Sequence, residues 1–248
     1  MPARFRYLSF ILCASVLLLS PPGRAQQPAT TNTPGSTLTS PSDAAKQMIA
    51  DAIKQMNAND ADGALHSLTQ ALALNPNITL AYVLRASIYC QKKQWTQAED
   101  DFRTAARIDP TNVVLKFQLV DVKFMQKQYD AARPGFVALE SDPDMGDFAS
   151  YKVFLCDLFG GHEDAAKKEL DVFNDAMGNP SYYFANAAWD LVHKNIEDAR
   201  SWLLSASRIY PPRKNFYYAQ SLRDLGYLPI PGPNDVVNPN PPGTPSHP

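Results

Sequence analysis

Few residues in this 248-residue chain could do covalent or acid–base chemistry, and they are scattered. The four histidines, His66, His162, His193 and His247, stand far apart. A helical metal site needs ligands at spacings such as His-Glu-x-x-His, which set two imidazoles on one face. That spacing does not occur, nor do a paired-cysteine cluster, a glycine-rich phosphate loop or Gly-x-Ser-x-Gly. His162 follows the turn signal Gly160-Gly161 and reads as a solvated turn histidine. Asn77-Ile78-Thr79 has the form of a glycosylation acceptor, and reads as an unmodified loop between helices. The expectation is therefore a protein that is not an enzyme and has no catalytic residues, metal or cofactor.

What the chain does repeat is apolar. Ala64, Ala98, Ala132, Ala166 and Ala199 stand 34, 34, 34 and 33 residues apart. Four residues after each comes Leu68, Phe102, Phe136, Leu170 or Leu203, and three residues later Ala71, Ala105, Leu139, Phe173 or Ala206. Offsets of four and then three define one helix face. A constant period of this length defines a stack of helical hairpins. The hairpins are bounded by Asn75-Pro76, Asp109-Pro110, Asp142-Pro143, Asn179-Pro180 and Pro211-Pro212. Proline ends a helix and keeps the residue before it out of helical geometry. No strand alternation lies between these stops, so the domain is expected to be all-α.

The spacing resembles the tetratricopeptide repeat family, over about two thirds of the chain. The repeat at 79–112 carries the pattern most fully, with Tyr82, Ala86 and Tyr89 on its first helix and Ala98, Phe102, Ala105 and Pro110 after it. Small residues at Ala86 and Ala98 allow two backbones to approach closely, Tyr89 and Phe102 fill the space beside them, and Trp95 closes the junction. The fourth and eighth places depart from the pattern at Lys116 and Val120, and again at Ser150 and Phe154. The resemblance implies a right-handed α-solenoid of about five helix-turn-helix repeats over residues 42–226. Its packing ladder is Ala64, Ala86, Tyr89, Ala98, Phe102, Ala132, Phe136, Ala166 and Ala199. A C-terminal capping helix at 215–225 would close the end of the stack, through Phe216, Ala219 and Leu222.

The ends read differently. Arg4 and Arg6 precede an apolar run from Leu8 to Leu19, and Gly23-Arg24-Ala25 suits cleavage, so residues 1–25 are expected to be a signal peptide. The run is shorter than the ~20 residues of a membrane span, so no stable span is expected after cleavage. Export places the mature chain in the periplasm, the cell envelope or the secreted fraction. Residues 26–41 are polar, uncharged linker, and residues 227–248 a proline-rich tail. The chain has 23 Lys+Arg and 25 Asp+Glu; without Arg4, Arg6 and Arg24 the basic count is 20. That balance gives no pull toward nucleic acid. Cys90 and Cys156 fall two repeats apart, beyond the reach of a bridge (about 7 Å between Cα atoms), and are expected as two buried thiols.

Function then falls to the inner face of the stack. In the family, first helices line the concave side. By register this assigns Ile49 and Ile53; Val83, Ser87 and Gln91; Phe117, Asp121 and Phe124; Tyr151 and Phe159; and Phe184 and Ala188. The fifth places, Ile49, Val83, Phe117, Tyr151 and Phe184, are apolar, so the Lys/Asn clamp used by some members for acidic peptide ends is absent. An exposed stripe of this kind would bind an apolar helix or extended peptide, while a packed one would be core. The sequence leaves both open. The expected function is a protein- or peptide-binding adaptor of the bacterial envelope, with a self-associating scaffold as the alternative.

Overall fold

The computed structural model describes residues 40–175 and 178–228. The signal peptide, almost all of the linker and nearly all of the proline-rich tail lie outside these residues. Among the described residues there are eleven helices and no strand. In chain order the first ten are α1 (Pro41–Asn57), α2 (Ala61–Leu74), α3 (Thr79–Gln91), α4 (Trp95–Ile108), α5 (Val113–Met125), α6 (Tyr129–Val137), α7 (Gly146–Gly160), α8 (Glu163–Asp175), α9 (Pro180–Val192) and α10 (Ile196–Ile209); α1 with α2, α3 with α4, α7 with α8, and α9 with α10 pack as hairpins. A single helix, α11 (Pro212–Asp224), follows.

The chain divides after Val122 into two compact units. In the first, α1 packs on α2, α2 on α3 and α3 on α4. Its core joins Ala45, Ile49, Met56, Leu68, Val83, Ile88 and Phe102 with the small residues Ala64, Ala86 and Ala98. In the second, α6 packs on α7, α7 on α8, and α9 on α7, α8, α10 and α11. The alanines of the ladder are 1% exposed or less throughout. A methyl group at these points is what lets paired helices approach; a larger side chain would force the backbones apart. Leu68, Phe102, Phe136 and Leu170, one turn on, are also buried.

A second ladder has the same period. Asn59, Lys93, Lys127 and Lys194 have φ between 57° and 63°, and Gly161 has φ 83°. Each stands one or two residues past the end of its first helix. Each is followed by a backbone N–H that reaches five residues back: Asp60 to Gln55, Gln94 to Tyr89, Gln128 to Lys123, His162 to Asp157, and Asn195 to Asp190, at 2.8–3.0 Å. This is the Schellman closure, in which a left-handed residue turns the chain while satisfying terminal carbonyls. The single missing residue of the period therefore falls between Gly161 and Lys194. α11 ends in the same way, with Gly226 at φ 85° and the Tyr227 N–H on the Leu222 carbonyl at 2.9 Å.

Two boundaries move by a few residues. Ser40 caps α1, two residues before the expected start of the domain at 42, its Oγ accepting the Asp43 N–H at 3.1 Å. Pro41 then takes the first helical position, where its missing N–H costs nothing. Pro212 does the same for α11, which begins three residues before the expected Asn215.

Gly161 has no heavy atom within 4 Å of the place a Cβ would occupy, so only backbone strain opposes a side chain there. Gly161→Ala should lower stability by about 1 kcal/mol. Lys127→Gly, at the equivalent turn, should raise it by about 0.5 kcal/mol, because its Cβ strain is relieved at some cost in chain entropy. Urea unfolding of the full chain measures both.

Candidate functional site

α7 has no solvent face along its centre. Every residue from Tyr151 to Leu158 is buried. Phe154 meets Phe173 of α8 edge-on at 6.0 Å, which accommodates the large residue where the repeat pattern wants a small one. Lys152, 2% exposed, lays its ammonium 3.6 Å from the centre of the Phe124 ring. That contact is electrostatically favourable where water is excluded. Asp157, 1% exposed, accepts from Arg133 Nε of α6 at 2.8 Å, and Arg133 also reaches Glu169 of α8. The Asp157 carboxylate stabilises the guanidinium and holds it in the charged form.

The remaining side of α7 is covered by α11. The Tyr218 ring lies 5.2 Å from Tyr151, 5.2 Å edge-on from Phe148, and 5.6 Å from Phe184 of α9, stacked at 22°. Tyr217 meets Phe148 at 6.2 Å. The Tyr151 hydroxyl donates to the Tyr218 carbonyl at 3.4 Å. Beyond the helix end, Tyr227 packs on Phe159 at 5.2 Å, and Phe159 in turn on Tyr129. Burial pushes the Tyr151 and Tyr218 hydroxyls well above the ordinary tyrosine range. Ala219 and Leu222 are buried as the spacing implies, and Phe216 is half-buried.

Of the two readings left open for the stripe at the fifth places, burial favours core packing. Ile49, Val83, Phe117, Tyr151 and Phe184 are all 7% exposed or less. Ile49 and Val83 belong to the core of the first unit. Tyr151 and Phe184 are brought together in the second unit, beneath one tyrosine of α11. Of the inner positions assigned by register, Ile53, Gln91 and Asp121 in the first unit and Phe159 in the second keep partial exposure; Leu80, one turn before Val83 on α3, does so too. The sequence reading missed Tyr217, Tyr218 and Tyr227 because none lies on the i, i+3, i+6 stripe of the terminal helix. Their one signal was the density of tyrosines between 210 and 227.

Elsewhere the polar groups tie helices together. Arg85 of α3 grips Asp101 of α4 through two bonds of 2.8 Å. A cleft of ≈420 Å³ is lined by Lys127, Gln128, Tyr129, Asp130, Ala131, Phe159 and Gly160. Among the described residues no group of three or more His, Cys, Asp and Glu is placed to hold a metal ion. His66 is exposed, and His247 lies outside the described residues. His162 lies 3.6 Å from the Asp157 carboxylate and 3.7 Å from that of Asp130. Cys90 and Cys156 are buried and unbridged, and burial raises the Cys90 thiol far above its ordinary range, which makes it unreactive.

His193 follows α9 and bonds only to acceptors. Nδ1 meets the Trp189 carbonyl at 2.7 Å and Nε2 meets Glu163 at 2.8 Å. Both nitrogens must then donate, which describes the imidazolium. The ring also stacks on Trp189 at 4.3 Å, with Lys167 of α8 on that indole at 5.5 Å.

The arrangement of helices has counterparts among solved structures. PilW, a widely conserved type IV pilus biogenesis factor, superposes with a TM-score of 0.52 at 19% identity, over 74% of this chain and 86% of that one. PilF of Pseudomonas aeruginosa gives 0.51 at 16% identity, over 75% and 88%. In sequence, the small glutamine-rich tetratricopeptide repeat-containing protein 2 of Mycosarcoma maydis is 29% identical over 136 residues. The chain has the tetratricopeptide-repeat fold. The tetratricopeptide-repeat match in sequence takes in 54% of this chain but only 37% of the Mycosarcoma maydis protein. No protein-family model matches the sequence.

The Glu163 carboxylate, first, and the Trp189 carbonyl raise the His193 pKa above its ordinary 6.5; Asp190 adds to this, and desolvation opposes it. A raised folded-state pKa contributes stability that is complete below the unfolded value and is lost as pH rises through the folded value. The melting temperature of the wild type should therefore exceed that of His193→Gln by more at about pH 5.5 than at about pH 8.5. An equal gap at both would mean that the ring acts by packing alone.

Proposed function

We propose that the chain is an exported adaptor that binds a helical or extended segment of another protein on the inner faces of its first helices. The observation that carries this reading is the seat of α11. Two of the five inner positions picked out by register, Tyr151 and Phe184, already hold an amphipathic helix through Tyr218. A face that takes one such helix has the chemistry to take another. In the first unit, Ile53 at an inner position and Leu80, one turn before Val83, offer half-buried apolar surface. No helix among the described residues is long and apolar enough to cross a membrane. Export rests on the charged, apolar and small-residue pattern of residues 1–25, and is in keeping with the likeness of fold to a type IV pilus biogenesis factor.

Two measurements test the reading. N-terminal sequencing of the protein from its native cell should begin at Gln26; a chain that retains Met1 overturns cleavage. Photo-cross-linkers at Ile53 and Leu80 of the full chain should join defined peptide segments of a partner. One at Arg103, exposed on α4, should not. Cross-links from Arg103 alone would move binding to the outer helices.

A further inference from the structure

The terminal helix α11 is held by two kinds of force that oppose each other. Its aromatic side is well matched. Tyr218 contacts Phe148, Tyr151 and Phe184, rings of α7 and α9, and Tyr227 contacts Phe159 near the C-terminal end of α7. Aromatic pairs of this geometry attract each other beyond the area they bury. Its polar side is poorly matched. Arg223 Nε and Nη1 are buried with no hydrogen-bond partner, and so is Asn215 Oδ1. The guanidinium sits 5.9 Å from the Phe216 ring, its own helix neighbour, and loss of solvent depresses its pKa. A desolvated cation with unmade hydrogen bonds is a standing penalty, recovered when the helix leaves and the group is hydrated.

The tether is also short and lightly fixed. Only Tyr210 and Pro211 separate α10 from α11, and no side chain caps the N-terminus of α11. Asn215 Nδ2 bonds to the carbonyls of Ala206 and Tyr210, which ties the first turn of α11 to the end of α10 rather than to the floor.

We propose that α11 is an exchangeable occupant of a helix-binding surface on the second unit, whose floor is Phe148, Tyr151, Phe184 and Phe159. The partner it fits is an amphipathic helix of another protein. That helix carries two adjacent aromatic residues and a leucine four residues after the second, as α11 does at Tyr217, Tyr218 and Leu222. It carries an apolar residue where α11 has Arg223. This inference rests on the adaptor reading and names the site and the ligand class. An apolar residue at that position escapes the desolvation of Arg223. A partner helix so built therefore competes with α11 although α11 has the advantage of being tethered.

The test uses the full chain and a fluorescent peptide of residues 211–228 bearing Arg223→Leu, with binding read by anisotropy. The peptide should bind wild-type chain. It should bind a Tyr218→Ala chain, in which the resident helix is loosened, about tenfold more tightly. It should bind an Arg223→Leu chain, in which the resident helix is held better, about tenfold more weakly; a factor of ten corresponds to about 1.4 kcal/mol. A control peptide that also carries Tyr218→Ala should not bind. Should the Tyr218→Ala chain lose its helical circular dichroism, the wild-type and Arg223→Leu chains still decide. Equal binding to these two, or binding to neither, makes α11 a fixed cap and overturns the proposal. Wild-type chain that runs as a dimer in light scattering, and becomes monomeric when peptide is added, would assign the seat to a second copy and overturn the choice of partner. If the peptide fails while Ile53 and Leu80 still cross-link a partner, the adaptor reading stands without this site.

Discussion

A hairpin of two short helices cannot bury its own apolar face. That limit governs both units. Within each, a hairpin makes an apolar face that a neighbouring helix must cover, as α3 covers α2 and α9 covers α7 and α8, so each core is built of shared layers. The small residues follow from it: the layers close only if backbones come near, and alanine is the side chain that permits this while still excluding water. The last layer has no next hairpin. α11 takes that place, and because it is a single helix it can lie across α7 and α9 at once, with Tyr218 between them.

Much of this was legible in the sequence, for a physical reason. The alanine of Ala98 recurs in every repeat, and a large apolar residue recurs at the place of Phe102, because the geometry they serve recurs, so the period could be read from residue types alone. The left-handed turns were legible only at Gly160-Gly161. Asn59, Lys93, Lys127 and Lys194 adopt the same conformation without glycine, since the Schellman bond offsets the strain of a Cβ. The helix α7 was expected, but its burial on every side was not legible. A helix buried from Tyr151 to Leu158 on every side has no polar face to set a period against, and Lys152 and Asp157 inside it look like surface residues until Phe124 and Arg133 are seen beside them.

The inner-face residues show a further limit. Register placed Tyr151 and Phe184 on the side that members of the family turn toward a ligand, and they do meet a helix there. The helix belongs to the same chain, more than thirty residues downstream of Phe184. Sequence periodicity describes which side of an element a residue occupies. It does not describe what covers that side, because the cover comes from a contact distant in sequence. Ile49 and Val83 were covered for a simpler reason: they lie within the core of the first unit.

Cys90 and Cys156, the two cysteines among the described residues, acquire a use from their positions. Cys90 lies in the first unit and Cys156 in the second, each buried and neither bridged. A thiol so placed is silent to reagents until the layer around it parts. The molecule thus carries a built-in clock in each half. The rates at which the two sulfurs become alkylated would time the opening of the two units separately, within one unaltered chain.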